Sequence, residues 1–275
     1  MILTIIILIC IGLFSSILGA LVGMGGGVII VPALVFFGIK LGMIEGMTPQ
    51  LAIGTSSMIL VITGFSAMVQ YNKSNQVDRY SGSIFLIGLV PGAFVGSYAS
   101  ASLTLDSFNL YFGSFLIIIS IILMVRDKIP PLKVFQNPKY LRPHIDADGV
   151  VHQYGFPVWI AVAITFLVGF TTGLFGIGGG VLMTPLMIIV FRIPPTIAIG
   201  TSMMLIFFSS FSSAIGHALQ SHVQYFSLIF LAVSSYFGAR IGVKLASRFT
   251  SDGLVKILRT VLLLIGLYLI LEAIL

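Results

Sequence analysis

Charge is scarce in this 275-residue chain, where Lys, Arg, Asp and Glu together make up 8% against 58% hydrophobic residues. Soluble domains carry about 25% charged residues, so a large soluble catalytic domain is excluded. Cysteine is nearly absent. The single Cys10 allows no internal disulfide and no cysteine metal cluster. The phosphate-binding pattern Gly-x4-Gly-Lys-Ser/Thr does not occur, which argues against direct use of ATP. Neither Gly-x-Ser-Gly nor His-Glu-x-x-His occurs, so a hydrolase signature is missing as well. The eight acidic residues (Glu45, Asp78, Asp106, Asp127, Asp146, Asp148, Asp252 and Glu272) all fall in loops or near segment ends. A carboxylate in mid-membrane would mark a proton or cation path; its absence disfavours a cationic substrate. No Lys or Arg precedes the apolar run at Met1–Cys10, which reads as a retained membrane segment rather than a cleaved signal.

What is present is apolar length. Ten apolar segments cover roughly 2–22, 27–38, 51–71, 82–101, 107–125, 157–175, 180–191, 196–217, 224–246 and 254–274. About 20 helical residues cross the hydrocarbon core, and eight of these segments reach that scale. The segments 27–38 and 180–191 extend only about 18 Å as helix and fall short. The expected fold class is an all-α polytopic membrane protein. The net charge of +6 fits Lys and Arg collected in cytoplasmic loops better than a nucleic-acid partner.

The two halves repeat. Gly23, Gly25, Gly26, Gly27, Val28 and Pro32 align with Gly176, Gly178, Gly179, Gly180, Val181 and Pro185. Pro49, Gly54, Thr55 and Ser56 align with Pro195, Gly200, Thr201 and Ser202, and Gly92 and Gly96 with Gly238 and Gly242. One insertion around 38–48 changes the offset. The division is a first membrane repeat at 1–125, a cytoplasmic linker at 126–156 and a second membrane repeat at 157–275. Equivalent loops carry opposite basic bias: Lys73 and Arg79 flank one loop whose mate at 217–224 has no Lys or Arg, while the loop near 245–253 lies between Lys244, Arg248 and Lys256. Basic loops face the cytoplasm, so inverted-topology repeats are expected, each a short glycine-interrupted hairpin plus three spanning helices, with both termini outside.

The linker holds Pro130, Pro131, Pro138 and Pro143, which prevent a long helix. Ile145–Val151 resembles a hairpin turning at Asp148-Gly149. His144, Asp146, Asp148 and His152 have metal-ligand chemistry, but a solvated turn accounts for them better and no metal site is expected.

The triple glycines point to chemistry. Pairs such as Gly92/Gly96 and Gly238/Gly242 suit close helix packing. Three adjacent glycines instead unwind a helix, and unwound backbone survives in a membrane only inside protein or beside a wet cavity. The short helix after each cluster would begin inside the membrane with unpartnered amides at a positive dipole end, which suits an anion. Candidate substrate contacts are Gly25, Gly26, Gly27 and Val28, and Gly178, Gly179, Gly180 and Val181. The hydroxyls of Thr55, Ser56, Thr201 and Ser202 are added because they donate without adding charge. Ser209, Ser210, Ser212 and Ser213 read as a polar stripe or as close packing. Gln70, Tyr71, His217 and Arg240 are candidates for gating or proton relay, with interfacial hydrogen bonding and snorkelling as the plainer alternatives.

At these residues the chain resembles the sulfite exporter TauE/SafE family, also called TSUP. Gly23–Val28 with Pro32, its copy Gly176–Val181 with Pro185, and the paired Gly-Thr-Ser elements at 54–56 and 200–202 carry the resemblance over most of the chain outside the linker. It implies transport of a sulfur-containing anion such as sulfite, sulfoacetate, another organosulfonate or thiosulfate. The expectation is a secondary transporter of the cell membrane, prokaryotic inner-membrane in type, and not an enzyme. Its partners would be a small anion and the lipid bilayer, with no nucleic acid and no cofactor. Oligomeric state is left open, a homo-oligomer included. An anion channel and, more remotely, an intramembrane hydrolase are the alternatives.

Overall fold

The structure is a computed structural model that describes residues 2–125, 140–145, 150–246 and 248–274. It is helical nearly throughout. Helix α1 (Ile2–Val22) leads through the first glycine cluster into the short α2 (Gly27–Leu34), which runs on as a π-helical turn at Val35–Lys40. Then come α3 (Pro49–Lys73), α4 (Arg79–Ala99, closed by a 3₁₀ turn at Ser100–Ser102) and α5 (Leu105–Val125). A two-stranded hairpin, β1 (Arg142–Ile145) and β2 (Val151–Tyr154), precedes the second half. That half comprises α6 (Val158–Phe175), the short α7 (Gly180–Ile189), α8 (Pro195–Leu219), α9 (Tyr225–Ala246) and α10 (Ser251–Ile274).

Among the described residues, seven helices are long and apolar enough to cross a membrane: α1, α3, α4, α5, α6, α8 and α9. The chain is therefore an all-α polytopic membrane protein. Large apolar side chains such as Phe14, Ile87, Trp159 and Leu264 lie on the outer surface, where lipid covers them at no cost.

Helix starts follow local chemistry. Proline stands in the first turn of α3 and α8, where no amide bond is lost. The Thr48 hydroxyl caps α3 by accepting the Leu51 amide. Asp78 caps α4 by accepting the amides of Tyr80 and Ser81, and Gln224 at the matched position before α9 accepts the Ser227 amide. The insertion expected around 38–48 appears as the π-helical turn and the loop behind it.

Helices pair through glycine. A Cβ at Gly92 or Gly96 would strike the carbonyls of Phe166 or Phe170, so α4 and α6 lie against each other in parallel. Gly238 and Gly242 meet the carbonyls of Leu13 and Ile17 in the same way, which makes α1 and α9 the equivalent parallel pair. Helices at matched positions instead run antiparallel where they touch. The start of α3 (Gly54) meets His217 and His222 at the end of α8, while Gly64 meets Phe207. On α5 and α10, Gly113 faces Gly266 while the Ser120 hydroxyl donates to the Arg259 carbonyl.

The hairpin register pairs His144 with His152 and Ile145 with Val151. The Asp148-Gly149 turn and the rest of 126–139 and 146–149 lie outside the described residues. After the hairpin, Phe156 stacks on Phe85 of α4 at a centroid distance of 4.8 Å and meets the Phe191 ring at a tilt of 50° and 5.0 Å. The segment after the hairpin is thus packed against α4 and the turn that follows α7.

Candidate functional site

Both glycine clusters are unwound. Helix α1 stops at Gly23, with φ of +80°, and Gly25 and Gly26 follow at +80° and +93°. Helix α6 stops at Gly176, with φ of +67°, and Gly178 and Gly179 follow at +76° and +71°. A side chain in this left-handed region is strained, which explains glycine at these positions. Helices α2 and α7 begin directly after the breaks without a side-chain cap.

The two breaks meet. A Cβ on Gly27 would lie 2.7 Å from the Gly176 carbonyl oxygen, and a Cβ on Gly180 would lie 2.6 Å from that of Gly23. Each break therefore presses the start of one short helix onto the end of the other half's long helix. Leu60 and Ile206, fully buried at matched positions of α3 and α8, fill the space beside both. Gly25, Gly27 and Gly178 all lie against Leu60, and Gly25, Gly178 and Gly180 against Ile206. Residues 23–28 and 176–181 are buried throughout. The expected amides facing a wet cavity are thus replaced, in this conformation, by two breaks closed by aliphatic side chains.

The four predicted hydroxyls hold protein backbone, those of Ser56 and Ser202 at the breaks and those of Thr55 and Thr201 at two loops. Ser56 Oγ donates to the Gly176 carbonyl at 2.9 Å, and Ser202 Oγ donates to the Gly23 carbonyl at 2.6 Å. Thr184 Oγ1 adds a second donor to Gly23 at 2.9 Å. Thr55 Oγ1 accepts the Gln224 amide at 2.9 Å, and Thr201 Oγ1 accepts the Asp78 amide at 2.8 Å. Each repeat thereby braces the break of the other, and each Thr ties its helix to the capping residue of an opposite loop. Gly54 and Gly200 make that approach possible, since a Cβ there would strike the carbonyls of His222 and Gln76.

The gating candidates separate. Tyr71 and His217 are buried beside the breaks. Tyr71 Oη donates to the Ala20 carbonyl at 2.8 Å, and His217 Nε2 lies 3.0 Å from the Gly173 carbonyl. A carbonyl only accepts, so that nitrogen carries the proton. Gln70 Nε2 donates to Ser66 on its own helix. Arg240 is exposed and lies 4.4 Å over the Tyr236 ring, away from the breaks.

Sequence reasoning missed Leu60 and Ile206, whose signal was their matched position. It also missed the Asp78 network. Tyr154 Oη, at the end of the hairpin, donates to Asp78 Oδ2 at 3.0 Å, and burial with the adjacent carboxylate pushes the Tyr154 phenol pKa up. A cavity of about 360 Å³ lies beside this contact, lined in part by Asp78, Tyr80, Arg142, His144 and Tyr154. No cluster of three metal-ligating side chains occurs among the described residues. Asp146 and Asp148 of the weighed metal set lie outside them.

Spanning helices with two buried helix breaks in contact suit a polytopic membrane transporter. The comparisons agree. Residues 8–269 match the family described as sulfite exporter TauE/SafE. The chain is 39% identical over 269 residues to "Probable membrane transporter protein YunE" of Bacillus subtilis, covering 98% of both chains. It is 25% identical to "Probable membrane transporter protein MJ0441" of Methanocaldococcus jannaschii, covering 96% of this chain and 95% of that one. A "Probable membrane transporter protein" of Xylella fastidiosa is 26% identical over 88% of this chain and 84% of its own. No solved structure matches. The chain belongs to the sulfite exporter TauE/SafE family, and it is a multi-pass membrane transporter, not an enzyme.

Proposed function

We propose that the chain is a secondary transporter of a small sulfur-containing oxyanion (sulfite or an organosulfonate, with thiosulfate in the same class), held where the two breaks meet and carried by alternating access. The carrying observation is the crosswise contact of Gly27 with the Gly176 carbonyl and of Gly180 with the Gly23 carbonyl. Two short helices start at one place inside the protein, and both turn their positive ends toward it. Transporters with broken helices commonly bind substrate at such a junction.

The antiparallel contacts of α3 with α8 and of α5 with α10 support inverted repeats, because an axis in the membrane plane reverses equivalent helices. Repeats of 1–125 and 157–275 rocking about the junction would expose it to each side in turn. Leu60 and Ile206 close the junction here, which favours a carrier over an open anion channel. Contact with the anion then goes through the amides near Gly25–Val28 and Gly178–Val181, while Ser56 and Ser202 hold the breaks in shape and Thr55 and Thr201 anchor their helices to the loops at Gln224 and Asp78. The basic linker face would be cytoplasmic.

The test is uptake of radiolabelled sulfite into proteoliposomes, with and without unlabelled sulfite inside. Saturable uptake stimulated by internal sulfite is expected. Flux proportional to concentration with no counter-flow would indicate a channel, and absence of flux for sulfite, ethanesulfonate and thiosulfate would end the anion reading.

A further inference from the structure

The two breaks match in outline but not in chemistry. At the first, the Gly19 carbonyl captures the amides of Met24 and Gly25 at 2.9 and 3.1 Å. Gly19 has no side chain to hold the loop away, and a Cβ there would strike the Gly26 amide. Gly26 itself faces backbone, its Cβ direction pointing at the Ser15 carbonyl 2.6 Å away. A carbonyl oxygen repels an anion.

At the second break the matched residue is Thr172. Its carbonyl takes only the Gly176 amide. The Ile177 and Gly178 amides, equivalents of the two captured by Gly19, are not drawn back onto the Thr172 carbonyl. Hydroxyls surround this loop. A Cβ at Gly179 would lie 3.0 Å from Thr172 Oγ1 and 3.4 Å from Ser209 Oγ, and one at Gly178 would lie 3.1 Å from Ser210 Oγ. Ser209 donates to the Gly178 carbonyl at 3.3 Å and Thr172 to the Val168 carbonyl at 2.8 Å. Ser210 Oγ is fully buried and has no partner among the described residues. A buried hydroxyl left unpaired carries a desolvation cost, and such a group in a native core calls for an explanation.

Resting on the anion reading above, we propose that the second break is the principal seat of the anion, with the amides of Ile177 and Gly178 and the hydroxyl of Ser210 donating to the oxygens of a sulfite or sulfonate head. The seat is closed here by Leu60 and Ile206, which withdraw when it fills. The first break acts as its structural counterpart and contributes helix-end charge, with Gly64 at the position matched to Ser210 offering no hydroxyl. The nearest side chains to Gly178 and Gly179 are hydroxyl and aliphatic, so affinity comes from neutral donors in a dry interior. This arrangement strengthens each bond to a charged guest.

Calorimetric titration of the detergent-purified full chain with sodium sulfite and with sodium ethanesulfonate tests the assignment. Ser210→Ala is expected to weaken both by about ten- to a hundredfold, the effect of one lost bond to a charged group. The same variant should leave the melting temperature of the anion-free protein unchanged or higher, since an unpaired polar atom has been removed; a merely structural serine would lower it. Thr63→Val and Ser16→Ala, which remove hydroxyls near the first break, should change affinity by no more than about threefold, being outside the seat. Unchanged affinity in Ser210→Ala overturns the proposal, as do equal losses in the first-break variants, and in either case the anion reading survives. If the unmodified protein binds neither anion, the reading falls and takes the seat with it.

Discussion

Tyr71 and His217 perform one task with different chemistry. They occupy matched positions near the ends of α3 and α8, and each donates to the carbonyl three residues before the glycine that ends the neighbouring broken helix: Ala20 before Gly23, and Gly173 before Gly176. The last carbonyls of a helix lack intrahelical donors, so the side chain completes the helix end from outside. Removing the donors should loosen both ends. Tyr71→Phe and His217→Leu are each expected to cost about 1–3 kcal/mol, because each leaves a buried helix-end carbonyl unpaired. Denaturant unfolding in detergent, followed by tryptophan or circular-dichroism signal, checks both.

The junction leaves no room for a methyl group. Gly27 and Gly180 have ordinary helical backbone, so alanine is tolerated conformationally, but its Cβ would press on the carbonyls of Gly176 and Gly23. Gly27→Ala and Gly180→Ala are each expected to destabilise the protein by about 1–3 kcal/mol through overpacking. Each should also depress the maximal rate of sulfite uptake in proteoliposomes. Wild-type rates in both would show that the breaks do not work as a contact pair.

His222 gives a dependence on pH. It sits in the loop after α8, and burial lowers its pKa from the ordinary 6.5. The folded protein therefore prefers the neutral ring. Above pH 6.5 both folded and unfolded states are neutral and stability is flat with respect to this group. Below it the unfolded chain binds a proton that the fold resists, so stability falls as pH falls. Melting temperature measured against pH should decline on the acid side, and His222→Gln should flatten part of that slope.

Much of this architecture is legible in the sequence because membrane helices are long apolar runs and glycine clusters have few other uses in lipid. The break positions and the short α2 and α7 could be read from Gly23–Pro32 and Gly176–Pro185. What the breaks face could not. Ser56 and Ser202 look like ligands in a string of letters, yet their acceptors lie in the opposite half of the chain. Asp78 reads as a loop acid, but it caps α4, takes the Tyr154 hydroxyl and offers its amide to Thr201. The exchange of Gly19 for Thr172 is a single mismatch in a long alignment. Its weight appears only when the loop beside it is seen folded back in one half and held open in the other.

The crosswise serines also bear on biosynthesis. The Gly23 carbonyl is satisfied by Thr184 and Ser202, residues translated long after the first cluster has left the ribosome. Until they arrive, the early helices must wait in the bilayer with an incomplete interior, shielded by water or by the insertion machinery. A nascent chain arrested before α7 should therefore remain accessible to cleavage around its first glycine loop, and gain resistance only when the later helices insert.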